Sequence, residues 1–138
     1  MIENKESLED IRESWNGVQK LKAFENRCAL TSGGVVSLGH AIPDGFWNLP
    51  FFLAYSILDD VLYALTEQGF FLCKSRQLGA RMESSKGIIP WVNFELILAG
   101  KESRNDLAHR AVVLSKKECF KYILAIEAEL KSWGILID

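Results

Sequence analysis

Leu49-Pro50-Phe51-Phe52-Leu53-Ala54-Tyr55-Ser56-Ile57-Leu58-Asp59-Asp60-Val61-Leu62-Tyr63-Ala64-Leu65 is the most apolar run of the chain, and its reading decides the fold. Its length invites a membrane span. Asp59 and Asp60 argue against one, because a single carboxylate in hydrocarbon costs about 2.5–3.5 kcal/mol even on a lenient scale. Phe51, Tyr55, Leu58, Val61, Leu62 and Leu65 recur at helical steps of three and four, while Phe52, Leu53, Ile57 and Ala64 widen the apolar surface beyond one face. The run predicts a buried helix, central to the fold or shared with a partner subunit. Pro50 suits its first turn, where the missing N–H would have had no partner, and Gly69 suits its end.

Upstream, Leu8, Ile11, Trp15, Val18, Leu21, Phe24 and Cys28 trace one apolar stripe, predicting a single helix over 7–31 that crosses Gly17 and ends at Gly33-Gly34. Residues 35–48 read as a loop. Downstream, a third helix is expected within 70–84, with Gly79 its weak point and 84–87 a turn. A fourth is expected from Pro90 to about Ala99, interrupted by Gly100-Lys101-Glu102. Ser115-Lys116-Lys117-Glu118 is a capping box opening a last helix to about Trp133, with Glu127 as the polar exception on its apolar side. No strand pattern of convincing length appears, so the class is all-α.

The 138 residues form one domain, 1–138, with 49% apolar and 25% charged residues, which excludes wholesale disorder. A net charge of −2 means that any polyanion site must be local. Three cysteines, Cys28, Cys73 and Cys119, stand far apart in no C-x-x-C pair, as in a reduced protein with free, buried thiols. The polar, acidic start is no signal peptide, and the expected location is the cytoplasm.

The chemistry concentrates in Ser103-Arg104-Asn105-Asp106-Leu107-Ala108-His109-Arg110. Ser103 followed by Asp106 resembles a capping box, which would put Arg104 in the first turn of a helix running to about Val113. A helix N-terminus favours anions, and a guanidinium there can grip a phosphate bidentately. His109, able to exchange protons near neutral pH, would follow. Residues 101–121 hold six cations against three carboxylates, a net of +3 that leaves −5 for the rest. One difficulty stands: five residues at 100° each separate Arg104 from His109 by about 140° on an ideal helix. Asn105 and His109, four apart, share a face.

Arg104, the polar Asn105 after it, and His109 resemble the R-x4–6-H motif of the HEPN superfamily, late in an all-α chain of suitable length. The resemblance is specific over this short stretch and topological elsewhere. It implies an up-and-down helical bundle of about five helices and a homodimer that brings two motifs into one cleft, which would ease the angular difficulty. It further implies a metal-independent endoribonuclease acting on single-stranded RNA, in a toxin–antitoxin or defence role, without a cofactor. Arg104 and His109 would be catalytic, with Asn105, Asp106, Arg110 and Lys101 supporting or binding substrate. Family members silenced by a nucleotidyltransferase antitoxin carry tyrosine two residues after the histidine. Here that position is Ala111, so control by AMPylation is not implied, though an antitoxin protein remains an expected partner. Other members are catalytically silent binding or assembly modules.

Each feature has a plainer counterpart. Arg104 and His109 could belong to a solvated helix start whose arginines pair with Glu102 and Asp106. Asp59 and Asp60 beside Tyr63 read as paired surface positions before they read as a second site. The four tryptophans read as core or interface anchors, and His40 as incidental. Two distant histidines and no Glu-x-x-His motif offer no metal centre, and no P-loop is present.

Overall fold

A computed structural model describes residues 1–24, 28–31, 34–37 and 42–137. It is an all-α bundle of five helices: α1 (Lys5–Lys22), α2 (Asn48–Glu67), α3 (Leu78–Ser85), α4 (Phe94–Arg110) and α5 (Lys116–Ser132). A short hairpin, β1 (Cys28–Thr31) and β2 (Gly34–Ser37), is inserted between α1 and α2.

Helix α2 is the axis of the bundle. A 3-10 turn over Asp44–Trp47 leads into it, and Pro50 lies in its first turn as the sequence requires. Phe51, Tyr55, Leu58, Leu62 and Leu65 are fully buried, each burial favouring the fold by about 1.5–3 kcal/mol. The wide apolar surface is covered by α1, α3 and α5 of the same chain, so α2 is a core helix even though its length and hydropathy would suit a membrane span. It ends in a Schellman motif: Phe70 N–H donates to Leu65 O at 3.0 Å and Gly69 N–H to Thr66 O at 3.0 Å, with Gly69 at φ +84°.

Helix α1 begins at Asn4, whose side chain accepts from Ser7 N–H at 3.1 Å, and buries Ile11, Trp15 and Val18. It stops at Lys22, well short of residue 31. Cys28–Thr31 instead pairs antiparallel with Gly34–Ser37, register Cys28↔Ser37 to Thr31↔Gly34. Apolar spacing alone had extended the helix into this segment, where β-branched Thr31, Val35 and Val36 favour an extended backbone. Gly34 thus opens a strand instead of ending a helix, while Gly33 and His40 lie outside the described residues.

Two helices expected around residue 100 are one. Helix α4 runs unbroken through Gly100-Lys101-Glu102, so Ser103 is no N-cap and Arg104 stands deep inside the helix. Gly100 is tolerated because it serves packing: a Cβ there would lie 1.9 Å from Tyr55 Oη and 2.6 Å from Tyr122 Cδ1. The helix ends early, at Arg110, with Ala111 left-handed at φ 54°. Val112 and Val113 are exposed, while Leu114 is buried and held by Asn48. The Asn48 amide donates to Leu114 O at 3.1 Å and accepts from Leu114 N–H at 3.1 Å.

Helix α5 starts as read, Ser115 Oγ accepting from Glu118 N–H at 3.2 Å. Its buried polar residue is Glu129, with Glu127 half-buried. The Glu129 carboxylate accepts from Val92 N–H at 2.5 Å and Asn93 N–H at 3.0 Å, anchoring the turn that opens α4. Trp15, Trp47 and Trp133 are buried, and Trp91 meets Trp133 edge-on at 4.8 Å, so the tryptophans are core anchors.

Candidate functional site

The motif lies at the C-terminal half of α4, so it cannot use the unpaired N–H groups of its own helix to bind an anion. The last turn instead presents unpaired carbonyls, which His109 and Arg110 complement as cationic or ionisable side chains. What the helix does supply is a face. Lys101, Asn105 and His109 follow at steps of four, and Arg104 flanks them.

These four side chains line one polar cavity of about 370 Å³, together with Asp59 from α2 and Arg76, Gln77, Leu78 and Gly79 from the opposite wall. Arg104 and His109, about 140° apart on an ideal helix, thus border the same cavity. Of the six residues singled out in the sequence, Lys101, Arg104, Asn105 and His109 are brought together. Asp106 and Arg110 are exposed and do not line the cavity.

Charge in the cavity is mostly uncompensated. The Asp59 carboxylate is engaged by Arg81, whose guanidinium also lies over the Tyr63 ring at 5.1 Å. Lys101 pairs with Glu102 at 2.7 Å and crosses Gly79 so closely that a Cβ there would come within 2.9 Å of Nζ. Arg104 has only a long contact to Asn105 Oδ1, 3.5 Å. Among the described residues no carboxylate pairs with Arg104, Arg110 or Arg76, so the salt-bridged helix start does not form. On its inner side Arg104 is felt by Tyr55. Burial and the neighbouring Tyr122 drive that hydroxyl far above the ordinary tyrosine range, and Arg104 pulls it back in part.

The wall formed by Arg76 to Gly79 has no signature in the sequence. It opens α3, whose first residue follows Gln77, a position without a side-chain cap. The first residues of α3, Leu78 and Gly79, therefore border the cavity, so a helix N-terminus lies beside it, but it belongs to a different helix. No local pattern marks Arg76; only the fold sets it opposite Arg104.

Asp60 faces elsewhere. It lines a second cavity of about 450 Å³ between α1 and α2, with Asn4, Ser7, Asp10 and Glu67 among its neighbours. The described residues contain no cluster of three His, Cys, Asp or Glu side chains suited to a metal ion.

Fold and cavity together define an all-α bundle with a cation-rich cavity on its fourth helix. No family model, curated protein or solved structure matches the chain.

Proposed function

We propose that this protein is a metal-independent endoribonuclease of the HEPN kind, acting on single-stranded RNA. The observation that carries the proposal is the convergence of Lys101, Arg104, Asn105 and His109 on one polar cavity in which no carboxylate among the described residues pairs with Arg104. In the proposed reaction a ribose 2′-hydroxyl loses its proton to a base and its oxygen attacks the adjacent phosphorus. The bond from phosphorus to the 5′-oxygen breaks, and that oxygen takes up a proton. Arg104 offsets charge growing on the phosphoryl oxygens. His109 transfers a proton at one end of the reaction, an effect worth roughly 10²–10⁴-fold. A second copy of the chain, docked with its own motif facing the first, supplies the imidazole for the other end. The setting proposed is cytoplasmic, in a toxin–antitoxin or defence system with a protein antitoxin.

Incubation with single-stranded RNA in EDTA tests this. The expected products carry 2′,3′-cyclic phosphate and 5′-hydroxyl ends, and a 2′-deoxy strand of the same sequence stays intact. Products with 5′-phosphate ends, or activity restored only by added metal, would refute it.

A silent binding or assembly module is the second reading, favoured by one observation: His109 has no hydrogen-bonding partner among the described residues to orient its ring. Wild-type protein that binds RNA and leaves it intact would establish that reading.

A further inference from the structure

Arg76 stands outside the motif and on another element. Its segment is pinned on both sides: Gln77 N–H donates to Ser75 Oγ at 3.1 Å, and Leu78 is buried at the start of α3. The guanidinium is exposed at the rim of the cavity, and no carboxylate among the described residues pairs with it.

Arg104 and Arg76 thus share about 370 Å³ with Lys101, which Glu102 pairs, and with Asp59, already committed to Arg81, so the two guanidiniums keep unpaired charge. Like charges gathered along a concave surface repel one another and concentrate a positive potential. An anion relieves that repulsion. The cations are spread over two walls and over successive turns of α4, which suits a chain of phosphates better than one phosphate. We infer that Arg76, across the cavity from Arg104, forms a second phosphate subsite, so that the ligand is a single-stranded polynucleotide threaded between Arg76 and Arg104.

This deepens the ribonuclease proposal, but the binding it describes does not depend on cleavage. The test uses a labelled 2′-deoxy oligonucleotide, which cannot undergo the transesterification, and reads its affinity by anisotropy across a salt series. Arg76→Ala is expected to weaken binding roughly tenfold or more and to lower the salt slope by about 0.7, the loss of one phosphate contact on a single strand. Lys74→Ala, which removes an equally exposed cation of the same segment that does not line the cavity, is expected to leave both unchanged. Equal losses in the two variants, or none in Arg76→Ala, would overturn the subsite. So would displacement of the strand by inorganic phosphate at equal phosphate concentration. Arg76-dependent binding by a protein that leaves RNA uncut would keep the subsite and defeat the ribonuclease proposal. RNA cleavage unaffected by Arg76→Ala would do the reverse.

Discussion

The Tyr55 hydroxyl donates to the Ile97 carbonyl at 2.8 Å, across the space that any side chain at Gly100 would need. This contact between α2 and α4 holds the motif-bearing helix against the axis of the bundle. Gly100→Ala is expected to destabilise the fold by about 1–3 kcal/mol, the usual cost of overpacking, in urea unfolding. In a Tyr55→Phe background the cost should shrink without vanishing, because the hydroxyl leaves and the Tyr122 ring stays. Equal costs in both backgrounds would mean that the Tyr55 hydroxyl does not set the close approach.

Ala111 ends α4 in the left-handed region at φ 54°, where a Cβ is strained. Ala111→Gly should raise stability by about 0.5–1 kcal/mol at this exposed position, and a urea midpoint unchanged or lowered would contradict the strain. The same conformation explains why Val112 and Val113 point into solvent: the chain turns away from the core once α4 is capped here.

Asp60 carries a pH signature. Its pKa is raised from 3.8, first by burial, then by the neighbouring Asp59, with Arg81 opposing. The native state therefore holds the Asp60 proton more tightly than the unfolded chain does. Stability from this group is present at pH below 3.8 and is lost as pH rises through the raised native value. Asp60→Asn should then be more stable than wild type at neutral pH, by less than about 1 kcal/mol at so exposed a position, and the advantage should fade below pH 3.8. An advantage that persisted at acid pH would assign the effect to something other than charge.

Cys119 is buried, and burial, with Glu118 and Asp44 nearby, pushes its thiol up to about 11. In the native protein it should resist alkylation at neutral pH and react only on unfolding. Half-buried Cys73 offers the internal comparison. Rapid labelling of Cys119 in folded protein would contradict its place in the core.

Much of the fold was legible because α2 and α5 announce themselves: a wide apolar face with Pro50 and Gly69 at its ends, and a Ser115–Glu118 capping box. What misled was punctuation. Gly100 looked like a break, since glycine weakens an isolated helix, but two tyrosines fill its place and tertiary packing prevails. Ser103 then looked like a cap. Half of the candidate site could be read locally, since Lys101, Arg104, Asn105 and His109 lie within nine residues of each other on one helix. The other half could not, because Arg76 and Gly79 reach the cavity only through the packing of α3 beside α4.

The proposed ribonuclease activity depends on Arg104 and His109 and needs no metal. The most direct measurement is the rate of single-stranded RNA cleavage in EDTA by wild type, Arg104→Ala and His109→Ala, each shown to keep its unfolding midpoint. The proposed chemistry requires cleavage by wild type and a fall of about 10²-fold or more in both variants. An inert wild type, or variants that cut at the wild-type rate, would contradict it.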